Sequence, residues 1–566
     1  MIPSRRSVVA LALSSLLPFS AGQAQSVPAG DRRIEASAPA IRADMEFLAD
    51  DLLEGREAGT RGDALTQLYL AKRFAAIGLE PAGDDGGHLQ WFRMRTTKLV
   101  PGSVSFEVTD GRGTKRSFAN GPDVVVFGNA KEADQRADAG LVFAGYGIEA
   151  PQLGLDDYAG VDVKGKIVVV LGGPPPFLPS AEAAHYGSAG EQQLVAARHG
   201  AVGVIRLWTP ALEQRYPWKN MAGLLGRTDM TWLPPDGRSP DTPPAVRVGA
   251  IANGRAADAL LAGGPRTMTQ LLDEARTRSP RAFALPGRVA IASRSSHDDT
   301  RVSANVAGLL RGSDPVLSDE VVVVTAHYDH VGIGPAVNGD AIHNGALDNA
   351  SGTAMLLEVA RRIAETPERP KRSILFLAVG AEEKGLIGSD YFAQHPTVPA
   401  ERLVANINLD GAMPFYDFSD VIAFGAEQSE MGERLAEGAG ELGLKVAPDP
   451  FPEEGIFTRS DQYSFVKRGV PSLFLYMGFT DTAGNSVGRG WWDRMMASVV
   501  HFPSDDLSLP IDYGVIAKFS DVFRRVVLRT ANSERRPRWY ADSIFGKLFA
   551  PGEGKALAAG GTKRPR

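Results

Sequence analysis

The chain has 566 residues, more than one ordinary domain accommodates, so we expect two or three domains. Hydrophobic residues make up 43% of the chain and charged residues 23%, a composition typical of a soluble globular protein. The net charge of -6 is small and the charges are interspersed, so the composition does not indicate a nucleic-acid partner. The absence of cysteine excludes disulfides, thiolate zinc sites and a lipid-bearing cysteine.

Residues 1–24 have the pattern of an export signal. Arg5 and Arg6 precede the apolar stretch 8–19, which is short for a membrane span, and small residues up to Ala24 suit cleavage. An uncleaved N-terminal anchor is the alternative. Residues 4–9 also resemble a twin-arginine signal, with the general secretory route as the other possibility. No later apolar segment is long enough to cross a membrane, so we expect a periplasmic or secreted protein, free of the membrane after signal removal.

The rest of the chain divides by sequence texture. Residues 27–135 begin with two helical stripes and form the first part of the main domain. Residues 136–285 contain strand-like runs and loops rich in Pro, Gly and Trp but no cluster of histidine and carboxylate, so we interpret them as a strand-rich inserted domain. Strands and helices alternate over residues 286–545, which predicts an α/β fold with a mostly parallel sheet. Residues 546–566 are predicted to form a disordered tail.

Five short segments of the α/β region carry metal-binding side chains. These side chains are His327, Asp348, Glu383, Asp410 and His501. His327, Glu383 and Asp410 each follow an apolar, strand-like run, and Asp348 precedes a helix predicted over 351–365. Because functional groups collect beyond the carboxyl ends of parallel strands, we expect these residues to converge at one edge of the sheet. His501 comes from a much later loop, and spacing alone says least about its position.

Two histidines and three carboxylates suit a pair of divalent metal ions, with zinc the expected metal. Two such ions lie roughly 3.5–4 Å apart and share a bridging carboxylate, for which we choose Asp348. His327 with Glu383 or Asp410 would bind one ion, and His501 with the other carboxylate would bind the second. The spacing does not decide between these two divisions.

Two acidic residues beside the ligands suit catalytic roles. Glu382 cannot easily point at the same ion as Glu383, so it is free to act as a general base. Asp329 lies two residues after His327 and can accept the second N–H of that imidazole, which would fix its tautomer. His330 and His343 are close in sequence and are candidates for lining the site. This inventory predicts metal-assisted hydrolysis.

In this order, the motifs resemble the zinc aminopeptidase family that includes glutamate carboxypeptidase-like enzymes and the transferrin receptor. The resemblance extends over residues 305–520. It implies two zinc ions, with the five residues as ligands and Glu382 as the base. It also implies that Asp348 bridges the ions and is joined to Asn349 by a cis peptide bond.

The same resemblance implies how the other ligands divide. Glu383 would sit with His501 on one ion, and Asp410 would sit with His327 on the other.

The middle segment resembles a protease-associated domain inserted into the peptidase domain. The matching stretches are residues 143–147, 156–158, 164–166 and 199–201. The stretch Leu53-Glu54-Gly55-Arg56 resembles the N-terminal region of exported bacterial members. The resemblance therefore assigns residues 27–135 and 286–545 to one peptidase domain that contains the metal site.

The chain departs from the family pattern near the site. Residues 460–462 read Ser-Asp-Gln where many members have Ser-Asp-His. A tyrosine that assists the oxyanion in some relatives has no clear match, although Phe457, Thr458 and Tyr463 lie nearby.

The expected function is a secreted or periplasmic di-zinc aminopeptidase that acts on peptides. One alternative is a glutamate-carboxypeptidase-like hydrolase, which would need arginines facing a substrate carboxylate; Arg459 and Arg494 are candidates. A second is a non-catalytic, receptor-like binding protein, although such a protein has no need of Glu382. A third is the metallopeptidase group with an inserted dimerisation domain, which the motif at residues 348–352 disfavours.

Overall fold

The computed structural model describes residues 34–221, 228–234 and 246–557; the expected export signal lies outside the described residues. Among the described residues, no helix has the length and apolar character needed to cross a bilayer. The α-helices are α1 (Ala38–Leu48), α2 (Arg61–Ile77), α3 (Ser180–Tyr186), α4 (Ala189–Arg198), α5 (Pro210–Arg215), α6 (Trp218–Met221), α7 (Gly254–Leu261), α8 (Met268–Ala275), α9 (Ser351–Glu365), α10 (Ile387–Gln394), α11 (Met431–Glu441), α12 (Gln462–Val466), α13 (Gly488–Ser498), α14 (Tyr513–Ala531) and α15 (Ile544–Phe549).

The strands occur in both halves of the chain. They are β1 (Glu80–Pro81), β2 (Leu89–Leu99), β3 (Ser105–Thr109), β4 (Lys115–Ser117), β5 (Val124–Val126), β6 (Asp134–Phe143), β7 (Glu149–Ala150), β8 (Leu155–Asp156), β9 (Ile167–Leu171), β10 (Gly203–Leu207), β11 (Asp229–Leu233), β12 (Val248–Ala252), β13 (Phe283–Leu310), β14 (Val321–His327), β15 (Gly332–Val337), β16 (Asp340–His343), β17 (Ser373–Val379), β18 (Leu403–Leu409), β19 (Asp420–Phe424), β20 (Lys445–Ala447) and β21 (Ser472–Met477).

The first sheet has four parallel strands at its centre, in the order β17–β14–β18–β21. Val322 and Val324 of β14 pack into one core with helices α1, α9 and α14. Val321 and Val323 point to the opposite face, where Phe392 of α10 and Phe465 of α12 pack. Because both faces are covered, every residue of these strands is buried, and the strands read as continuous apolar runs. The α/β prediction is confirmed, and the helix predicted over 351–365 is α9.

The second sheet belongs to the middle of the chain. Strands β6, β9, β10 and β12 are parallel neighbours, β5 pairs with β12, and β3 pairs with β4. This sheet begins at Ser105 rather than at residue 136, because Phe106 and Val108 pack in the same core as Leu141 and Val169. The short strands β3–β5 therefore belong with the middle segment and not with the N-terminal part of the main domain.

Strand β13 joins the two sheets. It is 28 residues long. Its first part pairs with β3 and β6 in the second sheet, and its last part pairs with β2 and β17 in the first. The middle segment is thus anchored to the main domain by a shared strand.

The ordered C-terminal segment extends beyond residue 546, where the sequence predicted disorder to begin. Residues 546–557 lie within the described part of the chain, and Ala556 is buried. The Ala556 amide donates to the Trp539 carbonyl at 2.9 Å, and Trp539 is itself fully buried. The disordered-tail prediction is wrong for these residues, because the buried indole and helix α15 hold them. Residues 558–566 lie outside the described residues.

The 3-10 turn Asp51–Arg56 packs tightly against the start of α2. A methyl group on Gly62 would lie 1.7 Å from the Leu53 carbonyl oxygen, which is far inside van der Waals contact. The side chain of Thr60 caps this helix by accepting from the Asp63 amide. The contact requires glycine at position 62 and fixes the position of the turn that ends at Arg56.

We expect Gly62→Ala to lower the free energy of unfolding by about 1–3 kcal/mol, because the methyl group must displace backbone. Thermal unfolding of the two proteins measures this difference. Gly190→Ala in α4 is the matched control, since a methyl group there meets no atom within 4 Å. The control should unfold at the wild-type temperature or slightly above it. Equal melting temperatures for both variants would contradict the Leu53 contact.

Candidate metal centre

The carboxyl edge of the first sheet gathers the five residues that the sequence singled out. His327 is the last residue of β14, Glu383 follows β17, and Asp410 follows β18. Asp348 lies in the turn before α9, and His501 lies in the loop after α13. His501 adopts a positive φ of 62°. Chain positions up to 174 residues apart thus reach one place. The parallel sheet accounts for His327, Glu383 and Asp410, whereas His501 arrives from its own loop.

The side chains form two groups that share one carboxylate. In the first group, His327 Nε2 lies 3.3 Å from Asp348 Oδ1 and 3.2 Å from Asp410 Oδ1. In the second, His501 Nε2 lies 3.2 Å from Asp348 Oδ2 and 3.0 Å from Glu383 Oε2. Asp348 therefore offers one oxygen to each group. This is the division that the family resemblance implied.

The backbone at Asp348 has the geometry that the resemblance implied. The peptide bond between Asp348 and Asn349 is cis. The Asn349 side chain donates to the Leu409 carbonyl at 3.0 Å and accepts from the Gly411 amide at 2.9 Å. The segment with Asp348 is thereby fastened to the segment with Asp410.

His330 joins the second group. Its Nδ1 lies 2.8 Å from Glu383 Oε1 and 3.9 Å from Asp348 Oδ2, and its ring is fully buried. Neither ring nitrogen of His330, nor Glu383 Oε1, has an aligned hydrogen-bond partner among the described residues. Such buried, unsatisfied nitrogen and oxygen atoms are the ligands that zinc uses in proteins.

The carboxylates at the site are stabilised in their charged form by neighbouring positive charge. Burial opposes ionisation of Asp348, but hydrogen bonds from His327 and His501 outweigh it and hold its pKa well below the usual range. Burial and Asp348 likewise oppose ionisation of Glu383, yet contacts with His330 and His501 lower its pKa to about 2. Burial disfavours the charged ring of His501, but these carboxylates raise its pKa to about 11. The residues therefore fit divalent cations, which supply the same positive charge.

Glu382 stands beside the two groups and belongs to neither. It lines a cavity of about 300 Å³ together with Asp348, Glu383, Asp410 and His501. Burial raises the pKa of Glu382 well above the usual range, with further repulsion from Asp410 and Glu383. A carboxyl group with a raised pKa next to an open cavity suits proton transfer.

Asp329 has different partners from those we expected. Its Oδ1 lies 3.9 Å from His327 Nδ1, too far for a hydrogen bond, and this nitrogen faces the Asp329 backbone oxygen at 3.2 Å. The carboxylate instead accepts from the Glu382 amide at 2.9 Å and the Glu383 amide at 3.3 Å. Asp329 therefore positions the turn that carries Glu382, because both backbone amides of this turn point at its carboxylate.

Asp505 plays the matching part for Asp348, and the sequence analysis gave it no role. Its carboxylate accepts from the Leu347 amide at 2.8 Å and the Asp348 amide at 3.0 Å. It is fully buried, and burial raises its pKa to about 6. The sequence signal that could have identified Asp505 is its position four residues after His501 in the same loop.

The departures from the family pattern have structural explanations. Gln462 donates to the Phe457 carbonyl and accepts from Asn408, both at 2.9 Å, so it fills its buried place without a histidine. Ser460 donates to Asp410 at 2.5 Å. The hydroxyl of Tyr463 lies 2.6 Å from His185 Nδ1 of α3, which engages it in the middle segment rather than at the metal ligands.

A second cavity of about 650 Å³ opens next to the candidate ligands Asp348, Asp410 and His501. Most of its wall is apolar, formed by Phe424, Phe451, Ile456, Phe474, Trp492 and Met495. Arg215 and Tyr216 of the middle segment also line it, and Arg215 pairs with Glu454. The middle segment therefore contributes directly to the walls of this cavity.

Comparisons with known proteins match part of this chain. Residues 305–527 match the model of peptidase family M28. Aminopeptidase YwaD of Bacillus subtilis (strain 168) is 37% identical over 111 residues, which cover 19% of this chain and 22% of that protein. A probable zinc metalloprotease of Pyricularia oryzae (strain 70-15) is 36% identical over 151 residues, 26% of each chain. The chain thus aligns with about a quarter of the length of these curated relatives.

Two solved structures are similar over more of the chain. An aminopeptidase from Aneurinibacillus sp. strain AM-1 has a TM-score of 0.49 at 18% identity, with 88% of this chain and 95% of that chain covered. The zinc aminopeptidase BSAP from Bacillus subtilis has a TM-score of 0.42 at 20% identity, with 89% and 97% covered. The family model and the five converging side chains occupy the same part of the sequence. Residues 305–527 therefore resemble peptidase family M28.

Proposed function

We propose that the protein is an exported di-zinc aminopeptidase that removes N-terminal residues from peptides. The observation that carries this proposal is the pair of ligand groups joined by Asp348, with Glu382 free beside them. The names of the aminopeptidase and zinc metalloprotease relatives support the reaction and the metal. Export to the periplasm or the medium rests on the signal-like pattern of residues 1–24.

The proposed mechanism assigns each residue a task. His327, Asp410, His501, Glu383 and Asp348 would hold two zinc ions. When bound, zinc supplies the Lewis acidity that acidifies a water molecule and polarises the scissile carbonyl.

Proton transfer falls to the remaining carboxylate. Glu382 takes the proton from the attacking water and delivers it to the leaving amine. Asp329 keeps this base in place because its carboxylate accepts hydrogen bonds from the Glu382 and Glu383 amides.

The apolar cavity supports a preference for bulky apolar N-terminal side chains. It adjoins the metal ligands, and its aromatic walls match an apolar side chain of the size of leucine or phenylalanine. The two arginines considered for binding a substrate carboxylate in a carboxypeptidase both have other partners. Arg459 lines the cavity but pairs with Glu454 at 3.4 Å, and Arg494 stacks on the ring of Trp491.

Glu382→Gln should keep its bound zinc and lose about 100- to 10,000-fold in kcat, because the amide cannot accept the proton. Elemental analysis and steady-state kinetics on the same preparation measure both quantities. His327→Ala is the contrasting variant and should lose zinc, since it removes a ligand. Near-normal kcat in Glu382→Gln would contradict the role of the base.

Dipeptides with a free N-terminus should be cleaved, and the same dipeptides with an acetylated N-terminus should not. A chelator should abolish the activity, and added zinc should restore it. Liquid chromatography of the products provides the measurement. Cleavage of the acetylated substrates, with release of a C-terminal glutamate, would instead favour the carboxypeptidase alternative. Tight binding without any cleavage would favour a receptor-like protein.

Among aminoacyl p-nitroanilides, kcat/KM for phenylalanine or leucine should exceed that for glycine by about 10- to 100-fold, because the side chain is buried in the apolar cavity. Aspartyl p-nitroanilide is the control for charge and should be among the poorest substrates. Equal rates for glycine and phenylalanine would show that the cavity does not receive the side chain.

A further inference from the structure

Arg56 is a fully buried arginine close to the ligand groups, and the catalytic scheme does not use it. It ends the Leu53–Arg56 stretch, which comes about 270 residues before His327 in the chain. Buried arginines normally pair with a carboxylate, but the hydrogen bonds of this guanidinium go to backbone carbonyls. Such an arrangement needs an explanation because burial of a charge is costly.

The four carbonyls come from three separate segments of the chain. Nε donates to the Tyr328 carbonyl at 2.7 Å, directly after the ligand His327. Nη1 donates to the Asn344 backbone carbonyl at 2.5 Å and also to the Leu48 carbonyl at the end of α1. Nη2 donates to Gly345 at 3.0 Å, three residues before the ligand Asp348.

The turn that presents Arg56 is fitted to the same loop. Gly55 and Arg56 both have positive φ, 68° and 53°. A methyl group on Gly55 would lie 2.3 Å from the His343 carbonyl oxygen and 2.8 Å from that of Gly332. The side chain of Asn344 donates back to the Ala49 carbonyl at 2.9 Å. The turn and the loop before Asp348 therefore hold each other from both sides.

The charge of Arg56 also faces the metal centre. The carboxylates that act on it are Asp329, Asp505, Asp348 and Glu383. Burial lowers the pKa of Arg56 to about 10, so the guanidinium stays protonated at neutral pH. Two of these carboxylates hold the ligand loops through backbone amides, and the other two are in the ligand groups.

We propose that Arg56 is a positioning residue that sets the spacing between the His327 and Asp348 segments, and so the affinity of the site for zinc. The inference rests on the proposed function, because it concerns the same metal centre. The planar fork of the guanidinium is required, since it reaches carbonyls in three directions at once. A lysine would keep the charge but has a single ammonium group and cannot hold four carbonyls in this arrangement.

The test compares Arg56→Lys with Arg372→Lys. Arg372 is also fully buried and donates to the carbonyls of Thr530, Ala531 and Ser533 and to Glu320. It lies just before β17, at the sheet edge opposite the metal centre. Both variants should melt at lower temperature than the wild type. Competition with a chelating dye, well below both melting temperatures, then measures zinc affinity.

We expect Arg56→Lys to bind zinc about 10- to 100-fold more weakly than the wild type, and Arg372→Lys to bind it as the wild type does. Equal affinity in the two variants would assign Arg56 a merely structural role and overturn the inference. Failure of the wild type to bind zinc would overturn the proposed function instead.

A measurement on the wild type covers the case in which Arg56→Lys does not fold. Zinc should slow amide hydrogen exchange in residues 48–56, although this segment supplies no ligand, and should leave residues 369–373 around Arg372 unchanged. Unchanged exchange in residues 48–56 on saturation with zinc would overturn the inference.

Discussion

The carboxylate of Asp348 lies between two imidazoles, and the rest of the site is arranged around that placement. Each oxygen faces one histidine, at 3.3 Å from His327 and 3.2 Å from His501. Hydrogen bonds to the backbone hold this position. The Asp505 carboxylate accepts from the Asp348 amide, and the Asn349 side chain bonds to the backbone on either side of Asp410. Small errors in this loop would separate the two ligand groups, which explains why so many buried polar contacts converge on it.

The same arrangement concentrates negative charge in a buried volume. Asp329 and Asp505 hold loops through amides, and burial raises the pKa of each to about 6. Carboxylates at such density repel one another unless positive charge is supplied. Within the protein, the buried guanidinium of Arg56 provides a fixed part of it. The ligand groups leave the remainder to be supplied by bound cations.

The sequence predicted the parts of the site that follow from strand order. The runs at 321–325 and 373–379 are apolar because both sheet faces are covered, so their ends, with His327 and Glu383, could be placed at one edge. The loop with His501 follows α13 and has no such rule, and its position came from the family resemblance. The partners of Asp329 depend on the turn after β17, which side-chain spacing does not reveal. The sequence analysis started the middle segment at residue 136, whereas its sheet begins at Ser105. The reason is that strand β3 pairs with β13, nearly 200 residues later, which local sequence does not reveal.

Strand β13 has a consequence for how the molecule can move. A hinge between two lobes needs a connection whose backbone angles can change freely. Here the connection is β13 itself, which pairs with β6 in the second sheet and directly afterwards with β2 in the first, with register shifts after Leu285 and after Asp298. Rotation of the middle segment against the main domain would therefore have to bend β13 or break its pairs on one side. The place of Arg215 and Tyr216 in the wall of the apolar cavity is thereby tied to the sheet that carries His327 and Glu383.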